Sequence, residues 1–200
     1  MPQPLHLQCS LQEGYEIFQE RQELAAHIAS ISALFNHLDF LLGLLLAEIL
    51  GAKWEPALDM YLALRGAKED ALKAAALKRL EEKDQDALEK LLDNFRNRAG
   101  ERNTIVHGKW FISDKYPNSL ISINTSQYFK MLLKVLSPGV GFRRLDYLHP
   151  AGISVPANHP YYLVWNKDDF VDVENRLKDS IEELGKFKTQ IRDQNPSPKI

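Results

Sequence analysis

Cysteine is almost absent from this chain: Cys9 is the only one in 200 residues. One thiol closes no internal disulfide and builds no Cys-based zinc cluster, and a reduced compartment fits it. Net charge is nearly absent too, with 25 Lys and Arg against 27 Asp and Glu and a pI near 6.3. That balance excludes a general polyanion binder. A local basic patch stays open, because affinity for phosphates depends on where the cations sit. Long apolar runs are missing as well. The most apolar stretch, Leu38 to Leu50, contains Asp39 and Glu48 and is too short to span a bilayer. The opening Met1-Pro2-Gln3-Pro4-Leu5-His6 carries neither the basic nor the apolar region of a signal peptide. A soluble, cytoplasmic protein with no membrane partner is expected. No carboxylate/His cluster has metal-ligand spacing, and His149 and His159 do not supply one, which sets aside a metal-dependent hydrolase. No metal and no cofactor are expected.

What is present reads mostly as helix. Residues 1–12, with Pro2 and Pro4, read as a poorly ordered lead-in. A long helix follows from Tyr15 or Glu20 to Leu50, with Ile28, Ile31, Phe35, Leu38, Leu42, Leu45 and Ile49 in steps of three and four. Gly51 is its expected stop. Asn36, His37 and Asp39 interrupt the apolar pattern, either as a polar edge bonded locally or, for Asn36 or Asp39, as an interior group holding a cation. Further helices are expected over Trp54 to Leu64 and over residues 67–80. The run Glu81-Glu82-Lys83-Asp84 reads as a solvated connection, with Asp84 or Asp86 as a cap.

The helix from Gln85 to Val106 carries the central pattern. Its stripe runs through Leu88, Leu91 or Leu92, Phe95, Ala99, Arg102 and Val106. A guanidinium on a packing stripe is costly unless it is paired, lines a crevice or snorkels outward. Beyond Gly108, Trp110–Ser113 and Leu120–Ile123 are β-prone and flank the turn-rich residues 114–119, a predicted hairpin. Tyr128 to Leu136 is a further short helix. Residues 137–160, rich in Pro and Gly, read as irregular. In the last helix Asn166 and Asp169 have capping-box spacing, while Trp165 and Phe170 have that of a hydrophobic staple.

Arg102 and His107 are about 140° apart around an unbroken helix and roughly 7–8 Å apart along it. They meet only if the helix ends near His107. Gly108 predicts that ending, through the left-handed conformation Gly adopts past a helix C-terminus. An Arg, an Asn and a titratable His suit a phosphodiester. Arg holds phosphate oxygens bidentately and stabilises developing charge, and His exchanges a proton with an RNA 2′-hydroxyl or with the leaving oxygen.

Arg102-Asn103-Thr104-Ile105-Val106-His107-Gly108-Lys109-Trp110 closely resembles the R-N-x-x-x-H motif of the HEPN superfamily, in the variant where Gly and an aromatic follow the His. The order of helices resembles the HEPN bundle too. The resemblance implies an all-α, up-and-down helical bundle over 15–110 and 160–192. A β-hairpin and irregular insertion (111–160) precedes the last helix, and a loose tail covers 194–200, all in one domain. It also implies a metal-independent endoribonuclease acting as a homodimer, with Arg102 on the scissile phosphate, His107 as acid/base and Asn103 orienting one of them. RNA is the implied substrate, and an antitoxin or other defence-system protein the implied partner, in toxin–antitoxin, anti-phage or RNA-processing settings. Where toxins of the HEPN–nucleotidyltransferase pairs have a Tyr, this chain has Lys109.

Arg96, Arg98 and Lys109 form a candidate basic rim for an RNA backbone, or a solvated face balanced by Asp93 and Glu101. Trp110 is either a base-stacking residue or part of the core. The alternative function is a non-catalytic HEPN-like module that dimerises or binds RNA or protein, with Arg102 as an interface or core ion-pair residue.

Overall fold

The computed structural model describes residues 1–12, 17–135, 153–155 and 161–194. Among them 73% are helical, in seven α-helices accompanied by a small antiparallel sheet. The helices are α1 (Ile17–Glu20), α2 (Gln22–Leu50), α3 (Trp54–Ala63), α4 (Lys68–Arg79), α5 (Glu82–Val106), α6 (Thr125–Val135) and α7 (Lys167–Gln194). The strands are β1 (Gln3–Pro4), β2 (Cys9–Leu11), β3 (Gly108–Phe111), β4 (Leu120–Asn124), β5 (Ile153–Val155) and β6 (Tyr162–Trp165). Expectations for Tyr15, for most of the irregular stretch 137–160, for His149 and His159, and for the tail beyond 194 fall outside the described residues. The chain divides into two compact units, Met1–Ile31 with Glu101–Glu174, and Ser32–Gly100 with Asn175–Ile200.

The second unit is helical. Leu38, Leu42, Leu45, Leu46 and Ile49 of α2 are buried there with Tyr61 of α3, Leu72 of α4, Leu88 and Leu92 of α5, and Leu184 and Ile191 of α7. Phe35 stacks on Phe95 at 5.2 Å between ring centroids. By length and hydropathy α2 could cross a bilayer; here these leucines face protein. Gly51 stops α2 as expected, with φ of 62°. Ala52 N–H donates to Ala47 O at 3.0 Å and Gly51 N–H to Glu48 O at 3.2 Å, the paired bonds of a Schellman ending. The run 81–84 is solvated as expected only as far as Lys83. The helix already begins at Glu82, and Asp84 is 2% exposed, accepting from Gln190 Nε2 at 2.8 Å.

Asp39 is bonded across helices rather than locally. Its carboxylate accepts from Tyr61 Oη at 2.8 Å and from Lys68 Nζ at 2.7 Å, so the cation it holds is a lysine. Burial, and then the Asp39 carboxylate, push the Tyr61 hydroxyl pKa far above its usual range. Asn36 and His37 are exposed.

The first unit is built on a four-stranded antiparallel sheet in the order β1-β6-β4-β3, beside a two-stranded sheet of β2 and β5. The predicted hairpin is there as β3 and β4, with Trp110 opposite Ser122 and Phe111 opposite Ile121. The lead-in does not behave as expected: residues 3–4 and 9–11 are strands. Pro4 is tolerated because β1 is an edge strand, where a missing donor breaks no inner ladder. Leu5 and Leu11 are fully buried in a cluster with Phe111, Ile121, Ile123 and Tyr162. Residues distant in sequence therefore complete the sheet that the hairpin begins.

On the other face of β3, Trp110 lies edge-on to Trp165 at 5.9 Å and tilted against Phe170 at 5.9 Å. The start of α7 follows the sequence expectation. Asn166 N–H donates to Asp169 Oδ2, Asp169 N–H donates to Asn166 Oδ1, each at 3.0 Å, and Trp165 stacks on Phe170 at 5.2 Å.

Candidate functional site

The helix α5 ends at Val106 and β3 begins at Gly108, so His107 is the hinge between them. Its own N–H still closes the last helical turn on Asn103 O at 3.0 Å. Two carbonyls beyond that turn find tertiary donors. Trp110 Nε1 donates to Ile105 O at 3.0 Å, and Thr125 Oγ1 donates to His107 O. Helix C-termini leave such carbonyls without intrahelical partners, and here an indole and a hydroxyl hold the hinge in place.

Gly108 works differently from the expectation. It is not among the residues with positive φ; it begins a strand. A Cβ built there would meet Thr104 O at 2.6 Å, so glycine is required by the close approach of the strand to the helix's last carbonyls. The packing stripe also ends elsewhere than expected. Ile105 is the fully buried residue of the final turn, while Val106 is only half-buried.

Arg102 is half-buried, with its Nε inside and its terminal nitrogen at the surface. Nη1 donates to Asn103 Oδ1 at 3.0 Å and lies 3.4 Å from His107 Nε2. A guanidinium only donates, so a hydrogen bond between the two requires the tautomer with its lone pair on Nε2 and its proton on Nδ1. Arg102, Asn103 and His107 are therefore brought together as the motif predicts. Asn103 and His107 are exposed, which leaves the Arg–His pair open to a ligand.

The other predicted residues have separate fates. Lys109 is close by on β3, with Nζ over the Tyr128 ring at 5.7 Å. Arg96 lies in the helical unit, where it pairs with Glu69 at 2.6 Å and with Asp93 at 2.5 Å. Arg98 is in the same unit and half-buried. Trp110 is core, 7% exposed.

The sequence reading missed Asn124, Thr125 and Ser126, because it started the short helix at Tyr128. The usable signal was Asn124, a favoured cap residue straight after a β-prone run. Its Oδ1 accepts from Ser126 N–H at 2.9 Å and from Ser126 Oγ at 2.6 Å. No protein-family model, curated protein or solved structure matches the chain.

Proposed function

We propose that the chain is a HEPN-type, metal-independent endoribonuclease that cleaves RNA by attack of a 2′-hydroxyl at a composite site between two copies. The observation that carries this reading is the 3.4 Å approach of Arg102 Nη1 to His107 Nε2, with Asn103 Oδ1 on the same nitrogen. The Arg102 guanidinium holds the non-bridging phosphate oxygens through its fork of N–H donors. Asn103 fixes the guanidinium in the orientation from which it reaches them. A bound ribose hydroxyl takes the place of Nη1 before the Nε2 lone pair, and Nε2 accepts its proton. The 2′-oxygen bonds to phosphorus, the P–O5′ bond breaks, and the products are a 2′,3′-cyclic phosphate and a 5′-hydroxyl. The departing 5′-oxygen takes its proton from the imidazole of the second copy, since one base cannot donate while it accepts. Lys109, on the strand that follows His107, steers the RNA backbone. The resemblance supports a setting in toxin–antitoxin or anti-phage defence.

The test is cleavage of structured RNA in EDTA by wild-type protein and by His107→Ala, with the product ends identified. Loss of proton transfer lowers the rate by about 10²–10⁴-fold, and the wild-type product should carry a cyclic phosphate. No cleavage by either protein, or equal cleavage by both, overturns the proposal. Absence of cleavage combined with strong destabilisation by Arg102→Ala favours the non-catalytic module instead.

A further inference from the structure

Trp110, three residues past the hinge, is buried and cannot meet a ligand. Gly108 and Asn124 are opposite one another in the sheet. From Asn124 the chain enters α6, and Thr125, its first residue, donates its hydroxyl to His107 O. Phe129 is one turn further along the same face, because residues four apart on a helix are neighbours, about 5–6 Å between Cβ atoms. It is 58% exposed, whereas the adjacent Tyr128 is turned inward beneath Lys109.

The Phe129 ring stands one helical turn from a hydroxyl bonded to His107 O, and it meets edge-on the ring of Tyr128, over which Lys109 Nζ sits. Cations that hold phosphate next to an aromatic ring with a free face are the elements of a single-strand nucleic-acid site. We propose that Phe129 is the stacking platform for an unpaired base next to the phosphate held by Arg102. The site would then select single-stranded or looped RNA, because a base inside a duplex cannot turn out onto the ring. This inference rests on the ribonuclease reading for the place of the phosphate, but stacking itself needs no cleavage.

The experiment uses wild-type protein and Phe129→Leu, which keeps apolar bulk and removes the ring. The probe is a single-stranded hexamer of 2′-deoxynucleotides, which 2′-hydroxyl attack cannot cleave, carrying fluorescent 2-aminopurine at each position in turn. In wild type one position is quenched on binding. Phe129→Leu loses that quench and binds about 5- to 150-fold more weakly. An abasic residue at that position gives the same weakening in wild type and none beyond it in the variant. Unchanged quenching and affinity in Phe129→Leu overturn the platform while leaving the ribonuclease reading intact if the wild type cleaves RNA. Wild-type protein that neither binds the hexamer nor cleaves RNA overturns both. Melting temperatures of the two proteins should agree, since Phe129 is exposed.

Discussion

Two glycines near the end of α5 should respond to the same added methyl group with opposite signs. At Gly108 the new Cβ of an alanine would be 2.6 Å from Thr104 O, where ordinary contact begins at 3.4 Å, and 3.6 Å from both Ile105 O and Ser122 Cβ. The nearest obstacle is a backbone carbonyl in the last turn of a helix, so relief requires moving α5 and β3 apart. Forced overpacking of this kind costs about 1–3 kcal/mol. At Gly100, inside α5, a Cβ meets nothing within 4 Å, and an exposed helical Gly→Ala change gains about 1 kcal/mol by restricting the unfolded chain. For a chain of this length each kcal/mol moves the melting temperature by about 2–4 °C. Gly108→Ala should therefore melt lower by about 2–12 °C and Gly100→Ala higher by about 2–4 °C, followed by circular dichroism and repeated in urea. Under the proposed ribonuclease function, Gly108→Ala should also lose activity beyond its loss of stability, because His107 is the residue between the two elements forced apart. A Gly108→Ala protein as stable as wild type refutes the steric account of this turn, and a destabilised Gly100→Ala refutes the comparison.

Two further outcomes follow from the first unit. Asn166→Ala removes the side chain that accepts from Asp169 N–H and should cost about 1 kcal/mol in chemical denaturation; Asn166→Ser should restore most of it, and a neutral Ala variant would deny the cap its role. Burial pushes the Tyr162 hydroxyl from 10.0 up to about 12. Its folded pKa is raised, so the folded state holds the proton longer. The contribution is complete below pH 10 and is lost as pH rises toward 12, by about 3 kcal/mol in all. Urea midpoints measured across that window should fall, and fall less for Tyr162→Phe; identical slopes for both proteins would show that another group titrates.

How much of this was legible beforehand varied with the range of the interaction involved. The last helix was read correctly down to its capping box, because Asn166 and Asp169 act on backbone only three residues away. The Gly51 ending and the hairpin of Trp110 and Leu120 were legible for the same reason. The lead-in was misread because Pro4 is unfavourable in an inner strand, and nothing local in the sequence says that β1 is an edge. Asp84 was misread because its buried place depends on Gln190, more than a hundred residues away. At the site, Arg102, Asn103 and His107 could be chosen from the motif, but the function of Gly108 could not. Its constraint comes from the approach of β3 to a helix carbonyl, which only coordinates reveal.

The sequence by itself determined that this is a mainly helical chain with a hairpin before its last helix, and that one Arg–Asn–His group stands where a helix stops. Periodicity, caps and turn residues act over a few positions, so they can be read from a string. Tertiary structure alone decided that Arg102 Nη1 and His107 Nε2 come within 3.4 Å, against the spacing of an unbroken helix. It also decided that Thr125 and Trp110 hold the hinge, and that Phe129 rather than Trp110 is the ring left facing solvent. Each of those outcomes depends on which strand lies beside which, and strand order is set by burial over the whole sheet rather than by any one stretch of residues.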